Sequence, residues 1–251
     1  MTAVLEGTGI VKRFGDFTAL HGVDFSIESG RTLGVVGESG SGKSTLGRIV
    51  MRLMRPDAGT VRLDGRDLFA LSAKELRQAR RDFQLVPQDP RNALNPAMTI
   101  GDSLAFQLRA QGIARREWAS RSADLLATVA LAADYVHAFP HELSGGQAQR
   151  VAIARAIASK PKLLICDEAV SALDKSVQAQ VLNTFADLQA QLGVAMFFIT
   201  HDLAVVEHIA DDILVLNRGH AVESGETAAV LADPTDPYTR ELLAARTLMH
   251  A

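Results

Sequence analysis

The chain has 251 residues, 47% of them apolar, with a net charge of −3 and 22% charged side chains. That is enough for a full hydrophobic core in one large domain, or in a domain carrying a substantial insertion. The charge balance excludes the basic footprint of a nucleic-acid binder. With only 5% aromatics to stack on bases, no nucleic-acid partner is expected.

The single cysteine, Cys166, cannot form an internal disulfide, which points to a reducing compartment. The start, MTAVLEGTGIVKRF, shows no apolar run behind a basic head, so no signal peptide is expected. The longest apolar runs, VAMFFI at 194–199 among them, are too short to cross a bilayer.

Along the chain, VLEGTGIVKRF, FTALHGVDFSI and TVRLDG half-alternate with no helical pattern between them. They predict a small antiparallel sheet. LGVVG at 33–37 predicts a buried strand, followed by a helix over 43–54, and FQLVP at 83–87 predicts a further strand. From 90 to 160 strand signals give way to Ala, Leu, Arg and Gln at helical spacing, as in GDSLAFQLRAQG, which predicts an inserted helical subdomain. Strands then return as LLICD at 163–167, AMFFIT at 195–200 and ILVLN at 213–217, with helices predicted over 177–192 and 203–210. Short apolar runs bounded by Gly or Asp suit strands buried on both faces. Their alternation with helices argues for a largely parallel α/β sheet. After Gly225 a short helix is predicted over 228–232, before DPTDPYTRELLAA.

GESGSGKS fits G-x-x-x-x-G-K-[ST], between a strand and a helix as that motif requires. Gly37, Gly40 and Gly42 let the backbone curl so that successive N–H groups form an anion nest at a helix N-terminus. The phosphate-binding set is therefore Gly37, Glu38, Ser39, Gly40, Ser41, Gly42, Lys43, Ser44 and Thr45. Lys43 is expected at the β and γ oxygens of ATP or GTP, and Ser44 on Mg²⁺. In KLLICDE, Asp167 stands where a Mg²⁺-binding carboxylate is expected, and Glu168 where a general base polarises water. Alone, such a pair is most often a solvated turn; a phosphate loop in the same chain reverses that. Cys166 reads as a small core residue.

A second glycine loop, LSGGQ, comprises Leu143, Ser144, Gly145, Gly146 and Gln147 ahead of the helical AQRVAIARAIA. A bare Ser-Gly-Gly there would read as an N-cap. The whole string, after PHE and before QRVAIARA, resembles the signature motif of the ATP-binding cassette (ABC) ATPases. The resemblance covers nearly the whole chain. It implies a RecA-like P-loop NTPase α/β core with an N-terminal antiparallel β-subdomain and an inserted α-helical subdomain. The corresponding ranges are 1–89 and 161–225 for the core, 90–160 for the helical subdomain and 226–251 for the tail.

The resemblance also implies ATP and Mg²⁺ as ligands, and a head-to-tail dimer in which this loop closes over the γ-phosphate held by a second ATPase subunit. It places Phe14 against the adenine, Gln88 at the Mg²⁺ and attacking water, and His201 at the γ-phosphate, holding Glu168. Ser171 and Asp174 of SALD match the loop that crosses the dimer interface.

NALNPAMTIGDSLAFQLRAQG at 92–112 and DPTDPYTRELLAA at 233–245 look like the ATPases of oligopeptide, dipeptide and nickel importers. Such ATPases sit on the cytoplasmic face of the cell membrane. They power membrane permeases fed by an extracytoplasmic binding protein, and the stretch 93–112 would receive the permease's coupling helix. Departures from the pattern are Ala97, Ala169 and Lys175, the last expected to favour an acidic partner across the dimer seam. With Cys166 as the only cysteine, the iron–sulfur cluster of some relatives is not expected. Two alternatives stay open at this point. One is a soluble ABC-type ATPase of repair, translation or cofactor assembly; the other is a P-loop kinase or GTPase, which has no use for LSGGQ.

Overall fold

Strand β1 (Ala3–Phe14) turns through Gly15 and Asp16 into β2 (Phe17–Glu28), and β3 (Thr32–Val36) leads through the glycine loop into α1 (Lys43–Val50). Next come β4 (Ala58–Leu63), β5 (Arg66–Asp67), α2 (Ala73–Ala79) and β6 (Phe83–Val86). A helical stretch follows: α3 (Pro90–Ala93), α4 (Ile100–Ala110), α5 (Trp118–Thr128) and α6 (Gly145–Ile157). The chain then alternates β7 (Leu163–Asp167), α7 (Lys175–Leu192), β8 (Ala195–Ile199), α8 (Leu203–Ile209) and β9 (Asp212–Asn217). It closes with β10 (His220–Glu226), α9 (Thr227–Ala232) and α10 (Pro237–Met249). This computed structural model describes residues 3–249, with side chains to Ala245. Among the described residues no helix is long and apolar enough to cross a membrane.

Two sheets form. The antiparallel one has the order β2-β1-β4-β5, as the half-alternating segments predict. The second has the order β10-β9-β3-β8-β7-β6, parallel throughout except for its β10 edge. Its central strands are buried on both faces, and successive side chains enter opposite cores. Met196 and Phe198 of β8 join the cluster under α6 and α7, whereas Ala195, Phe197 and Ile199 join the cluster under the antiparallel sheet. Leu164 and Cys166 of β7 follow the first pattern, Leu163 and Ile165 the second. Cys166 is fully buried and burial pushes its thiol up, which suits a core residue.

The helix predicted over 43–54 ends at Val50. Arg52 takes φ 59°, its N–H donates to Ile49 O, and the Leu53 N–H donates to Arg48 O. That is a Schellman stop built on an arginine where glycine is the usual signal, so the sequence gives no warning of it. Helix α7 starts two residues earlier than expected because the Asp174 carboxylate accepts the Val177 N–H and caps it. Strand β10 and helices α2 and α10 go beyond the predicted elements.

Candidate nucleotide site

The register of the parallel strands decides which residues meet. Val86 of β6 pairs with Cys166 of β7, and Asp167 of β7 pairs with Ile199 of β8. Just beyond these pairs, Gln88, Glu168 and His201 therefore leave neighbouring strands at the sheet's carboxyl edge, where ligands of such sheets bind. Gln88 Nε2 donates to Glu168 Oε2 at 3.4 Å and to Ser171 Oγ at 3.3 Å. His201 Nδ1 lies 3.5 Å from the same Glu168 oxygen. Glu168 itself takes φ 48°, with its N–H donated to Ile199 O at 3.0 Å.

The glycine loop leaves β3, one strand beyond β8. Gly37 has φ 148°, and a Cβ there would stand 2.1 Å from Leu216 O on β9, so the close approach requires glycine. Lys43 is 5% exposed, and its Nζ donates to Gly37 O at 2.6 Å, Glu38 O at 2.7 Å and Ser41 Oγ at 3.4 Å. Burial pulls the Lys43 ammonium below the usual amine range, opposed by the charges of Glu168, Asp167 and Glu38. Burial, then the neighbouring Glu168 charge, push the Asp167 carboxyl up, against Arg48 and Lys43.

An open cavity of about 1090 Å³ lies over this loop. Of the expected residues, Phe14, Gly37, Glu38, Ser39, Gly40, Gly42, Lys43, Ser44, Thr45, Glu168 and His201 line it. Ser41 is buried under the loop, and Gln88 reaches Glu168 from the side. Asp167 ends β7, one residue before Glu168. Phe17, Ala19, Lys175, Asp202, Leu203, Leu242 and Ala245 also line the cavity, none of which the sequence pattern singled out for it. Phe17 carried a signal: Gly-Asp between two Phe is a two-residue hairpin turn, and Phe14 pairs directly with Phe17. Lys175 Nζ meets Asp202 Oδ2 at 2.8 Å, an exposed ion pair within the chain.

The second glycine loop lies elsewhere. Among the described residues, none of Leu143, Ser144, Gly145, Gly146 and Gln147 lines the cavity. The Gln147 N–H donates to Ser144 Oγ, and the Ser144 N–H donates to Gln147 Oε1, forming a capping box on α6. The two glycines differ. Gly146 is buried, and a Cβ on it would lie 2.3 Å from Val177 Cγ1, so it lets α6 press against α7. Gly145 and Ser144 are exposed. Asp174 is held as a helix cap, and the Val177 N–H, then the Ser176 hydroxyl, hold its carboxyl below the usual range. Helix α6 also reaches the residue before Gln88: fully buried Gln149 donates to Pro87 O at 3.2 Å.

A glycine loop, a buried lysine and two carboxylates at one sheet edge suit the phosphates of a nucleotide. Residues 20–171 match the family model described as ABC transporter. The chain belongs to that family. It is 46% identical to a putative peptide import ATP-binding protein of Brucella ovis, over 97% of this chain and 78% of the relative. It is 47% identical to an oligopeptide transport ATP-binding protein of Salmonella typhimurium, over 90% of this chain and 69% of the relative. Among solved structures, cbiO1 of a Clostridium perfringens ABC transporter complex superposes with a TM-score of 0.86 at 26% identity, over 93% of this chain and 92% of that one. A dimeric ATP-binding cassette in a post-hydrolysis state with ADP and Pi gives 0.77 at 29% identity, over 89% and 98%. The nucleotide of this ABC ATPase is ATP and its reaction is ATP hydrolysis.

Proposed function

We propose that this ABC ATPase drives uptake of a peptide-class substrate through partner permeases, hydrolysing ATP in a head-to-tail dimer at the cytoplasmic face of the membrane. The observation that carries the dimer is the separation of the two glycine loops. The phosphate loop frames the cavity, while Ser144 and Gly145 stand exposed outside it, available to a second subunit. The peptide class rests on the relatives named for peptide import. Exposed Phe106 on α4, inside the stretch 93–112, supports docking of a permease helix there. The range 90–160 acts as the helical subdomain, moving about its junction at Gln88 against a core of 1–89 and 161–225, with 226–251 as tail.

Within the site, Phe14 and Phe17 offer aromatic faces to the adenine. Lys43 and the loop N–H groups hold the phosphates. Glu168, oriented by Gln88 and His201 on one carboxylate oxygen, polarises the attacking water. The Ser44 hydroxyl, the Gln88 carboxamide and the Asp167 carboxylate are hard oxygen donors that fit Mg²⁺, and a half-buried, raised Asp167 is a carboxylate that a cation would stabilise. When bound, Mg²⁺ neutralises charge on the phosphate oxygens. Ser144 and Gly145 then cap the γ-phosphate of the neighbouring subunit. The test is Glu168→Gln. Its turnover should fall by about 10²–10⁴-fold, while ATP gathers the variant into dimers on light scattering. Wild-type turnover, or a strictly monomeric variant with ATP, overturns the reading.

A further inference from the structure

The last helix is fastened beside the phosphate loop. Glu223 on β10 accepts the Thr235 N–H at 2.7 Å, the Thr235 hydroxyl at 2.9 Å and the Asp236 N–H at 3.2 Å, fixing the approach to α10. Asp236 Oδ1 accepts the Tyr238 N–H at 2.8 Å in the first turn. The Tyr238 ring packs on the apolar cluster of Val36, Leu203, Val206 and Val215. Its hydroxyl accepts the Glu38 N–H at 2.9 Å. That N–H and the Gly37 carbonyl belong to one peptide unit, and the Gly37 carbonyl accepts the Lys43 ammonium at 2.6 Å. The peptide is thus gripped from both ends, and hydrogen bonds in series strengthen one another. Leu242 and Ala245, four and seven residues beyond Tyr238, share its helix face and line the nucleotide cavity.

We propose that Tyr238 is a positioning residue for ATP binding: its hydroxyl fixes the Gly37–Glu38 peptide, and through that peptide the Lys43 ammonium, while α10 supplies one wall of the nucleotide cavity. Exposed Glu38 has no secondary-structure partner for its N–H, so without Tyr238 the peptide turns to water and Lys43 loses a rigid acceptor. Burial pushes the phenol above its ordinary range and keeps it neutral. The inference rests on Lys43 as a phosphate ligand.

Tyr238→Phe removes one oxygen and keeps the ring. Calorimetric Kd and steady-state KM for ATP should both rise about fivefold, the worth of one neutral hydrogen bond, with kcat within about twofold of wild type. Amide exchange at Glu38 should quicken. Unchanged Kd and KM, or a fall in kcat at unchanged Kd, overturns the proposal. Tyr238→Leu removes the ring as well. It should match Tyr238→Phe in affinity and melt lower; affinity lost in the Leu variant but retained in the Phe variant assigns Tyr238 to packing and overturns the proposal too. Lys43→Ala separates the two levels. If it binds ATP as wild type does, the phosphate-ligand reading fails; if it loses affinity while Tyr238→Phe does not, only the Tyr238 inference fails.

Discussion

Asp167 and Glu168 are adjacent carboxylates with different surroundings. Glu168 is held in the left-handed region by its N–H to Ile199 O, a conformation non-glycine residues adopt at a cost of about 1–3 kcal/mol and usually at functional sites. Burial, then the Glu168 charge, raise the folded-state pKa of Asp167 above its unfolded value. Between those two values the native chain holds a proton that the unfolded chain has released, so stability falls as pH rises through that window. Asp167→Asn removes the penalty. Denaturant melts at neutral pH should show the variant more stable than wild type, with the advantage fading as pH drops below the ordinary aspartate range; a less stable variant at neutral pH would contradict this. The place of these two residues at a strand end was legible in the sequence because the apolar run LLIC stops there. Tyr238 was not. Its partner Glu38 lies 200 positions away, and nothing in PYTREL marks a hydroxyl aimed at a loop.

At the scale of elements, the signature loop divides its labour. Gly146 serves the fold and Gly145 serves the exposed surface, a distinction the string SGG does not contain, because it depends on where Val177 of α7 falls. Gly146→Ala should destabilise the chain by about 1–3 kcal/mol through overpacking against stiff Val177. Gly145→Ala meets only flexible Leu173 at 3.3 Å and should stay within about 0.5 kcal/mol. Equal urea midpoints for the two variants would refute the division, and Val177→Ala should rescue Gly146→Ala by making room. Helix interiors were readable from periodicity, but helix ends were not where the stop signal departs from glycine. Arg52 ends α1 in a left-handed turn while donating to Leu68 O at 3.0 Å, a tertiary bond that replaces the usual residue preference.

For the whole molecule, the order β3-β8-β7-β6 brings the ends of four segments distant in sequence to one edge. The buried strands were legible as uninterrupted apolar runs, and their alternation with helices gave the parallel class. Strand order was not legible, because both faces are apolar and no pattern says which neighbour each strand takes. The same topology leaves LSGGQ outside the cavity that Lys43 and Glu168 line; in the head-to-tail dimer proposed above, one chain carries half of each of two reaction centres. The decisive measurement mixes two variants, each with one half spoiled: Lys43→Ala, which keeps its signature loop, and Ser144→Arg, which keeps its phosphate loop. Each alone should be nearly inactive, and a one-to-one mixture should recover about a quarter of wild-type ATPase by random pairing. A mixture no more active than its components, or a Ser144→Arg variant that turns over at the wild-type rate alone, would contradict the account.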